Sequence, residues 1–285
     1  MTSAESASPP IEFIVTKEYR RFAEFCEACR EARYIGLCYG LPGVGKTVSA
    51  RQYSHWNQLE SLMGGRPPPY RYSATPPRES GPWRTVLYTP GVSNTPRTVE
   101  HAVSNLWGTV DHLATRATWY GDPGAAVVRQ APDLLVVDEA DRLKTGSLEQ
   151  LRDFYERRHV GVVLIGMPGL QKRLARYAQL YSRVGFVHQF RPLSGQELQG
   201  VIEHQWVQLG LDTALYEHAD AAVVNAIARV TGGNFRLVQR LFAQIERIVA
   251  INKLPTVTTE VVTLARATGR RAGLNAINRS RNPAI

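Results

Sequence analysis

The segment Gly40–Thr47 reads GLPGVGKT and follows the apolar run 34–39, YIGLCY. A short apolar run bounded by glycine is the pattern of a buried parallel strand. The glycines after it permit a tight turn whose N–H groups point inward. The helix that opens at Gly45-Lys46 adds the partial positive charge of its N-terminus. Strand, glycine-rich loop and helix in that order form a cradle for a chain of phosphates. The expected nucleotide contacts are Gly40, Leu41, Pro42, Gly43, Val44, Gly45, Lys46, Thr47 and Val48. In this arrangement Lys46 reaches the β- and γ-phosphates and the Thr47 hydroxyl holds Mg²⁺.

The rest of the chain agrees with a parallel α/β unit. Phe22, Phe25, Cys26 and Cys29 fall at i, i+3, i+4 and i+7, which predicts a helix over about 16–34. The helix after Lys46 is expected to run to about Trp56. Further strands are expected at 86–89, 134–137, 160–165 and 184–190, with a helix starting at Thr95-Pro96. Residues 64–84 are rich in Pro and Gly and read as a long loop. After Pro192 the pattern changes. Ser194-Gly195-Gln196-Glu197 is a capping box, and helical periodicity follows over 195–209, 219–230, 234–251 and 258–268. Strands alternating with helices, then helices alone, predict an α/β domain at 11–192 and a small all-helical domain at 193–270. Residues 1–10 are expected to be unstructured and 271–285 to be a basic, mobile tail.

A second acidic motif completes the nucleotide site. The run Leu134–Val137 delivers Asp138 and Glu139 to a strand end. Asp138 is the expected second Mg²⁺ residue, and Glu139 is placed to polarise an attacking water. Residues 138–141 spell DEAD, but a two-lobed helicase needs a second α/β lobe, and the remaining chain is mostly helical. Arg183, in LYSRVGF, stands just before the last strand, where a ring- or filament-forming ATPase presents an arginine to a neighbouring subunit's site. Arg173 and Arg176 compete for that role. Arg236, in GGNFR, opens a helix of the second domain and is a candidate γ-phosphate contact. Lys46, Glu139 and Arg183 are thus the expected catalytic residues.

The formal net charge is +9, mostly arginine, and the sequence pI is about 9.7. That balance suits a nucleic-acid partner, and arginine suits bidentate phosphate contact. The three cysteines, at 26, 29 and 38, are an odd number, which argues against a disulfide framework. The pair Cys26/Cys29 lacks the further ligands a zinc site needs and lies at core spacing on a helix. The first ten residues hold no apolar leader and no stretch approaches a membrane span, so a cytoplasmic chain without membrane contact is expected.

The order Gly40–Thr47, 134–141, 160–166, Arg183 and Gly233-Asn234-Phe235-Arg236 resembles the AAA+ ATPases, over about residues 11–270. Within them, VVDEADRLK and SRVGFVHQFRPLS look most like the transposition regulators of the TniB, TnsC and MuB type. The resemblance implies a P-loop AAA+ sheet flanked by helices with a helical lid, using ATP and Mg²⁺. It implies a homo-oligomer, ring or helical filament, that assembles on double-stranded DNA with little sequence preference. It would then recruit or activate a transposase, and could engage a target-selection protein. Arg71, Arg78, Arg97 and Arg116 are candidate phosphate contacts to DNA. A replication initiator or helicase loader is the alternative, sharing core and lid; a scaffold that does not hydrolyse ATP is another. One departure stands out. The residue after the fourth strand, usually polar in this family, is Met167, which points to slow, switch-like turnover.

Overall fold

The computed structural model describes residues 13–63, 83–121, 131–208, 221–254 and 256–268. Five strands form one parallel sheet: β1 (Ile35–Tyr39), β2 (Thr85–Tyr88), β3 (Leu134–Val137), β4 (Gly161–Gly166) and β5 (Val184–Gln189), in the order β2-β3-β4-β1-β5. Register aligns Tyr39 with Gly166 and Gln189, and Tyr88 with Val137. The strands therefore end together along one edge, where the loops that carry chemistry emerge. β2, β3 and β4 are buried at every position, as expected for strands covered by helices.

The first helix, α1 (Lys17–Ala32), is capped by the Thr16 side chain, which accepts from the Tyr19 N–H, and it packs on β1, β4 and β5. Its buried face is Phe22, Phe25, Cys26 and Cys29. Gly36 makes this approach possible, because a Cβ there would collide with Cys29 and Phe25. The cysteines are free thiols in this core, and burial pushes Cys29 up to about 12. The helix after the glycine-rich loop, α2 (Lys46–Tyr53), is shorter than its periodicity predicts. His55 takes a left-handed backbone, φ 51°, and a separate α3 (Trp56–Leu62) follows. Behind β2, α4 (Pro96–Gly121) packs on α5 (Thr145–Arg158), with Trp107 edge-on to Phe154 at 5.2 Å.

Two short helices, α6 (Leu170–Leu174) and α7 (Ala178–Tyr181), bridge β4 to β5. Beyond β5 the chain is helical: α8 (Gly195–Gln208), α9 (Ala221–Thr231), α10 (Phe235–Asn252) and α11 (259–268). These four bury their own apolar cluster, which includes Ile202, Trp206, Ile227, Phe242, Ile245 and Val262. The cluster under the sheet runs from Phe22 to Phe190 and is separate from it. Ile14, near the start of the described chain, packs against the helical cluster, so the N-terminal segment spans both units. Among the described residues, no helix is long and apolar enough to cross a membrane.

Leu37 is fully buried at the centre of β1. Leu37→Ala is expected to cost about 2–5 kcal/mol, the usual range for deleting a core leucine. Equilibrium urea unfolding measures this; a loss under 1 kcal/mol would contradict the packing described.

Candidate functional site

The loop Gly40–Thr47 leaves β1 at the common strand edge and is fixed from three sides. Gly40 donates from its N–H to the Gly166 carbonyl at 3.3 Å, tying the loop to β4. Gly43 and Gly45 take positive φ, 80° and 114°, which L side chains rarely adopt. From the helical domain, the Arg236 N–H donates to the Gly43 carbonyl at 3.0 Å, and Asn234 Nδ2 to the Pro42 carbonyl at 2.8 Å. A Cβ at Gly43 would run into Asn234 and Arg236, so glycine also admits the helical domain. Asn234 caps α10 at the same time by accepting from the Leu237 N–H.

A cleft of about 220 Å³ opens on this loop, lined by Pro42, Gly43, Gly45, Lys46, Thr47, Val48, Asp138, Glu139, Asp141, Gly166, Met167 and Arg236 among others. Lys46 Nζ donates to the Gly40 and Leu41 carbonyls at 2.6 and 2.9 Å. Burial pushes its ammonium below the ordinary lysine value, while the nearby Asp138 and Asp141 carboxylates oppose that shift. Thr47 Oγ1 donates to Asp138 Oδ2 at 2.7 Å, and the Glu139 N–H to Asp138 Oδ1 at 2.9 Å. Asp138 is only 3% exposed, and burial raises its carboxyl above the usual range despite both hydrogen bonds. A hydroxyl and a carboxylate held together at the mouth of a phosphate-sized cleft form the hard-oxygen donor set that Mg²⁺ prefers.

Glu139 takes a left-handed backbone, φ 52°, which turns the chain out of β3. Its carboxylate is ion-paired with Arg142, whose Nη1 donates to the Pro90 carbonyl after β2. Of the other expected loop residues, Gly40 and Leu41 contribute carbonyls, and the Leu41 side chain faces solvent. Val44 lines a second cavity of about 370 Å³ that adjoins the cleft at Gly45, Val48, Phe235 and Gln239. Its remaining wall comes from the N-terminal segment and α1 (Phe13, Ile14, Thr16, Tyr19) and from Gln52 and Asn57. That wall is latched to the helical domain through Glu197. Its carboxylate accepts from the Ser194 hydroxyl and N–H and from the Glu18 N–H. Burial would raise Glu197, but these hydrogen bonds prevail and hold it below the usual carboxylate value.

A sequence model described as "AAA domain" matches residues 29–174, and the matched span contains the phosphate loop, Asp138, Glu139 and β4. The chain belongs to the AAA domain family. It is 41% identical over 259 residues to a "Potential ATP-binding protein" of Staphylococcus aureus, covering 89% of this chain and 95% of that protein. It is 28% identical over 242 residues to the "Mu-like prophage FluMu DNA transposition protein B" of Haemophilus influenzae, covering 81% of this chain and 71% of that one. Among solved structures, the Thermotoga maritima RuvB Holliday junction branch migration motor superposes with a TM-score of 0.55 at 16% identity. That match covers 90% of this chain and 70% of the RuvB chain. The AAA+ fold expected from the sequence is thus the fold observed, and ATP is the nucleotide this AAA+ ATPase uses.

Among the described residues, the other expected arginines lie apart from the cleft. Arg183 is half exposed and meets Glu156 at 3.4 Å. Its carbonyl pairs with the Ile35 N–H at the opposite edge of the sheet. Arg173 is committed within its own chain, donating to the Asp141 and Leu143 carbonyls; Arg176 is exposed. Arg97 is exposed in the first turn of α4. Arg71 and Arg78 fall outside the described residues, and so does the side chain of Arg116. The sequence motifs give no role to Asp141, the last letter of DEAD, which lines the cleft, or to Asn234, which holds the loop at Pro42 beside Arg236.

Burial raises the Asp138 carboxyl, so the folded chain holds that proton more tightly than the unfolded chain does. Ionising Asp138 above the ordinary carboxylate range therefore costs stability. Asp138→Asn, equal in size and uncharged, is expected to melt at or above the wild-type temperature at pH 7 without nucleotide. The advantage should fade as pH falls through the usual carboxylate range. Each kcal/mol corresponds to about 2–4 °C in a chain of this size. Calorimetry from about pH 7 down to about pH 3, which takes in the usual carboxylate range, measures it, and a variant melting several degrees below wild type at pH 7 would contradict this reading.

Proposed function

We propose that this AAA+ ATPase binds ATP with Mg²⁺ in the cleft, assembles on duplex DNA, and recruits or activates a transposase, with hydrolysis ending the assembly. The transposition reading rests on the likeness, over most of both chains, to the Haemophilus DNA transposition protein B. The catalytic reading rests on the cleft. The loop N–H groups and Lys46 take the phosphates, and Thr47 and Asp138 hold Mg²⁺. Mg²⁺ held by Thr47 and Asp138 would supply neutralisation of the charge that builds on the transferring phosphoryl group. Glu139 accepts hydrogen bonding from the attacking water once its carboxylate leaves Arg142. The adjoining 370 Å³ cavity is sized for the nucleoside. Arg236 lines the same cleft from α10, which supports a phosphate contact made by the helical domain.

Arg183 serves a neighbour in this reading. It stands one strand length from its own cleft, about 15 Å at the usual rise per residue, so only another subunit's site is within its reach. That placement supports a homo-oligomer, ring or filament. Met167 after β4 supports slow turnover that times assembly. The basic excess, with Arg97 and the arginines at 71, 78 and 116, supports phosphate contact with DNA and little base readout. A target-selection protein is a further partner in this reading.

Negative-stain imaging with duplex DNA and ATP, ADP or a non-hydrolysable analogue tests the proposal. Filaments or rings on DNA are expected with the triphosphates; a protein that stays monomeric and off DNA in all three would overturn it. Glu139→Gln should bind ATP within about threefold of wild type and lose at least about 100-fold in turnover, the range for a positioned base. Wild-type turnover by this variant would move the role to another residue.

A further inference from the structure

Asp141 lines the phosphate cleft, and the sequence motifs assign it nothing. It sits on the 3₁₀ turn Ala140–Arg142, directly after the acidic pair. The turn is anchored from behind, because Arg173 donates to the Asp141 and Leu143 carbonyls. The side chain is anchored in front, because the Met167 N–H donates to Asp141 Oδ2 at 2.6 Å. Gly166 makes room for it: a Cβ there would strike that oxygen. One carboxylate oxygen is thus fixed against the end of β4. The carboxylate is also close enough to Lys46 to hold up the lysine's proton affinity. The neighbouring Glu139 carboxylate is tied to Arg142. The Met167 side chain, 40% exposed, offers only a weak thioether acceptor at the place where β4 meets the cleft.

We infer that Asp141 is a second water-positioning carboxylate of this site, supplying at the end of β4 the polar group that the Met167 side chain does not. The inference rests on the ATPase reading above. Its acceptor oxygen takes a hydrogen bond from the water that attacks the γ-phosphate, while Glu139 acts as the base. Asp141 itself forms no bond to phosphorus and keeps no proton. A carboxylate in that place also repels the γ-phosphate of bound ATP, so it weakens triphosphate binding while aiding turnover.

Asp141→Asn separates these effects from a structural role. The asparagine carbonyl still accepts from the Met167 N–H, but its outward atom becomes a donor and its charge is gone. The variant is expected to melt within about 2 °C of wild type. It should bind ADP unchanged and bind a slowly hydrolysed ATP analogue about threefold to tenfold tighter, as removal of a facing like charge requires. Its turnover should fall at least about tenfold. Titration with fluorescent nucleotides reads the affinities and phosphate release reads kcat. Equal shifts for ADP and the triphosphate, or unchanged kcat, would overturn the inference and leave the ATPase reading intact. A wild-type chain without any turnover would overturn both. If Asp141→Asn does not fold, Gly166→Ala displaces the same carboxylate from the other side. It should give the same split between affinity and kcat, and a wild-type profile would overturn the inference.

Discussion

The structure depends on the backbone of one loop being used by two domains at once. The residues 40–47 hang from β1 and are tied to β4 through the Gly166 carbonyl. Their outer carbonyls, at Pro42 and Gly43, accept from Asn234 and Arg236. A peptide unit cannot shift its N–H without shifting the adjoining carbonyl, because the bond is planar. Any ligand that reorients the inward N–H groups of this loop therefore works against the hydrogen bonds that seat α10. The helical domain is thus bonded directly to the loop, while its side chains bury an apolar cluster of their own.

Electrostatics adds a reason for that loop to respond. Asp138 and Lys46 are both buried enough that their charged forms are disfavoured. Three carboxylates, Asp138, Glu139 and Asp141, share the cleft with two cations, Lys46 and Arg236. A divalent ion beside Asp138 and a phosphate chain beside Lys46 would relieve both penalties together, which gives paired binding an advantage over either ligand alone. Stability and function pull apart here, and the burial that makes the site responsive also makes the ligand-free chain less stable.

Much of this was legible in the sequence because it was local. Strand runs such as Leu134–Val137, the phosphate loop and the Ser194/Glu197 capping box depend on neighbouring residues, and the parallel AAA+ sheet followed from their order. The parts that were not legible depend on packing across the chain. Nothing in QYSHW announces a helix break, since His55 takes the left-handed conformation without a glycine or proline to mark it. The second cavity joins Phe13, Tyr19, Asn57 and Gln239, which no spacing rule connects. Asp141 gains its place from Gly166 and Met167, twenty-five residues or more downstream. Arg173 read as a rival to Arg183 until its partners, two backbone carbonyls, were visible.

Amide hydrogen exchange over 235–252 measures the coupling between loop and lid. ATP with Mg²⁺ is expected to change exchange at Arg236, whose N–H bonds Gly43, and in the first turns of α10 by at least about tenfold, roughly 1.4 kcal/mol. Lys46→Ala should abolish the change. Exchange over 235–252 that is identical with and without nucleotide, while the 40–47 loop becomes protected, would contradict it.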